Sequence, residues 1–133
     1  MLNSVNNDCS ELWVENGILY SKFSKSLELD LDKIKDLIKL REEISNGENQ
    51  FWMYDISNLK AVSKEARDYA GIYGQNYLNA VAVIVNSHIN KFIFSVYIKL
   101  KKPLLPCAVF KDKEKALAWL LELKEKEYEI YNL

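Results

Sequence analysis

The sequence predicts a three-layer α/β domain, in which a mixed sheet of about five strands is covered by four helices. Three observations lead to this prediction. Two strand-like segments flank an Asn16-Gly17 turn, short apolar runs such as residues 80–85 lack alternation, and helix-like segments separate those runs. Because parallel strands need long crossovers and each helix supplies one, the strands after the hairpin are predicted to be parallel.

The N-terminal hairpin sets its own register. Asn-Gly is the strongest short signal for a two-residue hairpin turn. Around Asn16-Gly17, such a turn places Trp13 opposite Tyr20 and Glu11 opposite Lys22. An aromatic pair and an opposite-charge pair each stabilise an antiparallel sheet by about 0.2 to 1 kcal/mol, so the side chains favour the register that the turn imposes.

Capping residues place the helices. The first helix is predicted to open at Asp30 or Asp32 and to end at Asn46-Gly47. The second is predicted to open at Ser63, after a loop over residues 57–62. The other predicted elements, in chain order, are a central strand over residues 51–56, a strand over residues 80–85, a helix from Asn86-Ser87 to Pro103, a strand over residues 104–110 and a helix that opens at Asp112.

The third predicted helix is apolar on two sides. Its core face is predicted to consist of Ile89, Phe92, Ile93, Val96 and Leu100. Phe94 and Ile98 form a second stripe on the opposite side, with Tyr97 between the two. In a small three-layer domain a helix is buried once by its own sheet, so this second stripe predicts an interface with another copy or a partner protein. The alternative is contact with the neighbouring helix of the same layer.

Composition restricts the class of protein. A chain of 133 residues is expected to form one domain, here residues 10–133, after a polar segment over residues 1–9 predicted to be disordered. The net charge of −1 favours neither nucleic acid nor an anionic surface as partner, and no apolar run is long enough for a membrane span. Cys9 and Cys107 lie far apart, which argues against a disulfide scaffold and favours a cytoplasmic location.

Residues that would carry chemistry are sparse. His88, the single histidine, opens the third helix, and the sequence has neither a Cys/His cluster with metal spacing nor a glycine-rich phosphate loop. We therefore predict no catalytic residues, no metal and no cofactor. An enzyme using His88 or Cys107 remains an alternative, which would require a polar cleft at the carboxyl edge of the sheet.

The order of elements over residues 11–125 resembles a STAS domain, and more narrowly the SpoIIAA-like, SEC14-type small proteins. Three segments carry the resemblance: Asp55-Ile56-Ser57, the stretch Ser63–Tyr69, and Val109-Phe110 leading through Asp112 to residues 116–120. The resemblance implies a SpoIIAA-like fold and a regulatory module similar to bacterial anti-sigma factor antagonists. In such proteins a partner kinase that also acts as anti-sigma factor phosphorylates a serine after the central strand.

Ser57 matches that phospho-acceptor by its offset from Asp55, although Ile56 and Asn58 stand where the regulatory members have serine and glycine. The alternative is an ordinary loop serine. Ligands of open α/β sheets bind at the carboxyl ends of the strands. The side chains predicted to lie at that edge are Asp55, Ser57, Asn58, Ser63, Asn86, Ser87 and His88.

Two functions follow as hypotheses. The first is a non-enzymatic STAS-like regulatory or protein-interaction module whose partner is a kinase-like protein or a second copy of the chain. The second is a carrier of a lipid or another small apolar molecule, of the SEC14-like type. It predicts a cavity under the third helix or under the helix that carries Tyr69, Tyr73 and Tyr77.

Overall fold

The structure, a computed structural model, describes the backbone of residues 4–131 and the side chains of residues 4–127. The elements, in chain order, are β1 (Ser4–Asn6), β2 (Ser10–Glu15), β3 (Ile18–Phe23), β4 (Glu28–Leu29), α1 (Leu31–Ser45), β5 (Gln50–Asp55), β6 (Ala61–Val62), α2 (Lys64–Tyr73), β7 (Leu78–Ile84), α3 (His88–Lys101), β8 (Cys107–Phe110) and α4 (Lys113–Tyr131).

Within this described part, six strands form one mixed sheet in the order β1-β2-β3-β5-β7-β8. The pairs from β1 to β3 are antiparallel, and those from β3 through β5 and β7 to β8 are parallel. A short parallel pair, β4 with β6, lies apart from this sheet. The predicted mixed α/β class is confirmed, with one strand more than the sequence indicated.

The hairpin register is confirmed. Asn16 and Gly17 both adopt positive φ, at 53° and 78°, as a type I′ turn requires. Trp13 pairs with Tyr20, and their rings stack with centroids 5.4 Å apart. Glu11 pairs with Lys22, although the exposed ion pair is long, at 3.7 Å between Oε2 and Nζ.

The additional strand, β1, corrects the prediction of disorder for residues 4–6. A local polar turn explains it: the backbone N–H groups of Cys9 and Ser10 both donate to Asn7 Oδ1, at 2.8 Å each. This asparagine turn folds the chain back so that Ser4–Asn6 pairs with β2. Residues 1–3 of the predicted disordered segment lie outside the described residues.

The two faces of the sheet bury separate cores. One face packs against α1, α2 and α3 through residues such as Ile34, Ile38 and Ala66. The other packs against α4, where Ala116 and Leu120 are fully buried. The predicted three layers are therefore present, with three helices on one face and one on the other.

The helix caps agree with the sequence. Asp30 caps α1 by accepting from Lys33 N, and Ser63 caps α2 by accepting from Ala66 N. Ser87 caps α3, and Asp112 accepts from Glu114 N at the start of α4. Each cap satisfies backbone donors that a helix leaves unpaired at its N-terminus. No helix among the described residues is long and apolar enough to cross a membrane.

Candidate functional site

At the carboxyl edge of the sheet, Asp55 is held by three donors. Its Oδ1 accepts from the backbone N–H of Ser57 at 2.9 Å and from the Ser57 hydroxyl at 2.5 Å. Its Oδ2 forms an ion pair with Lys113 Nζ at 3.0 Å. Burial alone raises the pKa of Asp55, but the hydrogen bonds from Ser57 and Lys113 outweigh it and hold the pKa below its ordinary value. A carboxylate with a lowered pKa is a weak general base at neutral pH.

The remaining predicted edge residues have mainly structural partners. Asn86 joins the cluster, because its Nδ2 donates to Ser57 O at 3.0 Å and its Oδ1 accepts from Asn90 Nδ2 at 3.0 Å. Asn58 Nδ2 donates instead to the Phe23 carbonyl at 3.1 Å. Ser63 and Ser87 serve as helix caps, and exposed His88 lies 3.5 Å from Lys111 Nζ. The structure thus groups Asp55, Ser57 and Asn86.

The two faces of α3 are the reverse of the prediction. Phe94 and Ile98 point inward and pack against the core beneath α3. The five residues predicted to be core are between 40% and 75% exposed: Ile89, Phe92, Ile93, Val96 and Leu100. Helical periodicity identifies both apolar stripes, but it does not indicate which of them packs against the core. In this orientation the Tyr97 ring lies 5.5 Å from the Arg67 guanidinium of α2.

A largely apolar cavity of about 180 Å³ lies between α2, α3 and the sheet. Its floor comes from strand residues such as Trp52 and Val83, and its roof from Phe94 and Ile98. An apolar cavity of about 150 Å³ in another protein stays dry and binds benzene. This cavity therefore has the size and the lining to hold a small apolar group.

Small residues on α2 make room for the cavity. Ala66, Ala70, Gly71 and Gly74 line it where larger side chains would fill the space. None of the three tyrosines that the sequence associated with a cavity lines it, although Tyr69 packs against the same core. Tyr73 and Tyr77 are 52% and 43% exposed, and Tyr77 lies past the end of α2 with φ at 58°.

A buried cation lies behind one wall of the cavity. Arg41 is fully buried, with its Cζ 5.2 Å from the Trp52 ring centroid and its Nη2 donating to Gly74 O at 3.1 Å. Its Nε and Nη1 have no partner among the described residues. Burial lowers the pKa of Arg41 to about 10. Sequence analysis did not identify this residue, because Arg41 continues an ordinary charged helix pattern.

Cys107 is a thiol in the cavity wall. It lies at the start of β8, beside Val81 of β7, and is half-buried. Burial in apolar surroundings raises the pKa of its thiol to about 11, because the thiolate is poorly solvated there. A thiol of this kind is a slow nucleophile at neutral pH, which weakens the alternative of an enzyme that uses Cys107.

The raised pKa of Cys107 predicts a pH-dependent stability. Between the pKa of the thiol in the unfolded chain and its pKa in the folded protein, the folded thiol keeps its proton while the unfolded one loses it. The free energy of unfolding should therefore fall as the pH rises through this range. We expect a loss of about 1 kcal/mol between about pH 8 and about pH 10, measured by urea unfolding. Cys107→Ala should lack this part of the pH dependence; an identical slope in both proteins would contradict the assignment.

The fold is that of a small SpoIIAA-like α/β domain, with an apolar cavity between α2, α3 and the sheet. The chain is similar in structure to an uncharacterized protein of the DUF3478 family with a SpoIIAA-like fold from Shewanella loihica PV-4. The TM-score is 0.65 and the identity 20%, over 88% of this chain and 98% of that one. The model of the domain of unknown function DUF7793 matches residues 12–124, so the chain belongs to that family. No curated protein matches the chain.

Proposed function

We propose that this protein is a non-enzymatic, SpoIIAA-like module that binds a small apolar molecule in the cavity between α2, α3 and the sheet. The cavity itself carries the proposal. Protein cores contain few voids larger than a water molecule. Here, small residues at four positions of α2 and its C-cap leave a larger space unfilled. The second sequence hypothesis, an apolar carrier, thus has the stronger physical support.

Cys107 offers a direct test of occupancy. We expect 1-decanol, a neutral apolar probe, to slow the alkylation of Cys107 by iodoacetamide about fivefold or more, because a bound molecule covers the thiol from inside the cavity. Cys9, which lies in the turn before β2, should react at an unchanged rate and serves as the internal control. Peptide mass spectrometry separates the two rates. Equal rates at Cys107 with and without decanol would contradict the proposal.

The exposed face of α3 favours a second candidate function, the binding of a protein partner. This face presents contiguous apolar side chains, including Phe92 and Leu100, which are 70% and 75% exposed. Helix α3 carries Lys91, Lys99 and Lys101 and no acidic residue. Charge complementarity therefore favours a partner whose apolar patch has an acidic rim.

Site-specific photo-crosslinking tests this second candidate in the native cell. A photoreactive residue at position 92 should capture one defined protein, and Ile93→Glu should abolish that product. The same photoreactive residue at position 104, where Leu104 is 93% exposed outside the stripe, is the matched control. Identical products from both positions would contradict a specific surface, and a product of twice the chain mass would identify a homodimer instead.

Phosphorylation of Ser57, which the resemblance to anti-sigma factor antagonists implies, stays a prediction. A phosphate there would place about −1.5 to −2 charges beside Asp55, and Lys113 is the nearby cation that would offset them. Phosphopeptide mapping of protein from its own cells tests it, with Ser57→Ala as control. An unmodified Ser57 peptide under all growth conditions would contradict regulation by a kinase-like partner.

A further inference from the structure

Arg67 lies where the apolar cavity meets a smaller one. The second cavity, of about 150 Å³, lies at the carboxyl edge between β6, the end of β7 and the start of α3. Its polar lining includes Asn86 and Asn90. Arg67 lines both cavities, as do Ile56, Val62 and Phe94. A molecule with an apolar body in the first cavity could therefore place a polar head against Arg67.

The guanidinium of Arg67 has unused donor capacity. Its Nε is buried and has no hydrogen-bond partner among the described residues. No carboxylate in the described part of the chain lies within 4.0 Å of it. Its Cζ lies 5.5 Å from the Tyr97 ring centroid, so the group is positioned against α3. A guanidinium without an anionic partner is incompletely compensated, and a ligand oxyanion beside its outer nitrogens would supply that partner.

The charged residues of the two cavities all have one sign. They are Lys60, Arg67 and Lys101, and no aspartate or glutamate of the described residues lines either cavity. The whole chain, by contrast, has 18 basic and 19 acidic residues. The positive sign is thus a local property of the site, and it complements an anion.

We infer that the ligand is an anionic amphiphile, with its apolar part in the larger cavity and an oxyanion head bound by Arg67. This inference rests on the proposed function and specifies the ligand's chemical class. Arginine suits this role because its planar N–H donors match a carboxylate or phosphate group. Decanoate and 1-decanol form a matched pair of probes, since they share the chain and differ in the charged head.

The test measures the affinity of both probes for the full chain and for Arg67→Gln by titration calorimetry. Decanoate affinity should fall about tenfold in Arg67→Gln, as expected for the loss of a charge-assisted hydrogen bond. Decanol affinity should stay within about twofold, which also shows that the variant is folded. Arg67→Lys should retain only part of the decanoate affinity, since lysine keeps the charge but lacks the planar pair of donors.

Lys99→Gln is the control for charge alone. Lys99 is an exposed lysine on α3 that lines neither cavity, so its loss should leave both affinities within about twofold. If Arg67→Gln lowered the affinities for both probes equally, or left the decanoate affinity unchanged, the inference would be overturned while the proposed function stands. Failure of the unsubstituted protein to bind either probe would overturn the proposed function as well.

Discussion

Gly74→Ala should lower the free energy of unfolding by about 2 to 4 kcal/mol. Gly74 is the buried C-cap of α2, and a Cβ there would collide with the carbonyl oxygen of Ala70. The backbone has to move, because the atom it meets belongs to the last turn of its own helix. Movement also displaces Gly74 O, which accepts the sole hydrogen bond found for the Arg41 guanidinium among the described residues. Urea unfolding at neutral pH measures the loss.

Gly71→Ala is the matched control, three residues earlier on α2. Gly71 is exposed within the helix, and the nearest atom to an added Cβ is Tyr97 Oη at 3.9 Å. Alanine there should raise the free energy of unfolding by about 0.5 to 1 kcal/mol, because glycine has a low helix propensity. If both substitutions changed the free energy of unfolding in the same direction, the contact between an added Cβ at position 74 and Ala70 O would not explain the effect of Gly74→Ala.

Ala70→Leu should stabilise the protein and abolish ligand binding together. Ala70 lines the cavity from α2, and leucine would fill part of it without lowering helix propensity. We expect the free energy of unfolding to rise by about 0.5 to 2 kcal/mol. The affinity for 1-decanol should fall about tenfold or more. Opposite changes in stability and binding are the signature of a filled ligand cavity.

The control for this substitution is Ala118→Leu. Ala118 is exposed on α4, on the other side of the sheet. Leucine there should change the free energy of unfolding by no more than about 0.5 kcal/mol and leave decanol binding unaltered. If Ala70→Leu left decanol binding intact, the probe would have to bind outside the cavity between α2 and α3.

Local chemistry made most of the fold predictable. A turn dipeptide determined the hairpin register, and capping side chains determined where each helix opens. These signals act over a few residues, so the sequence displays them directly. Strand β1 was missed because the polar composition of residues 1–9 predicts disorder, whereas Asn7 within this segment forms a turn that returns the chain to β2.

The candidate site was less predictable, because it depends on contacts between distant segments. Asp55, Ser57 and Asn86 could be grouped from the rule that ligands bind at the carboxyl edge. Lys113 was missed, although the start of a helix that follows a parallel strand also lies at that edge. The cavity had no local signal, since small residues on α2 are equally consistent with close helix packing.

Helix α3 shows the limit of periodicity most clearly. Both of its faces are apolar, and the pattern favoured the larger stripe as the core face. The structure instead packs Phe94 and Ile98 inward and exposes the stripe that contains Phe92. The pairing of Tyr97 with Arg67 accompanies this orientation, and no pattern within one helix reveals such a pair.

The most direct test of the cavity as a ligand site is native mass spectrometry of the protein purified from its own cells. We expect a fraction of the protein to carry one non-covalent adduct, released on collision as an anionic, largely apolar molecule. Ala70→Leu protein purified in the same way should lack that adduct. The bare polypeptide mass in both proteins, or the same adduct on both, would contradict the ligand site between α2, α3 and the sheet.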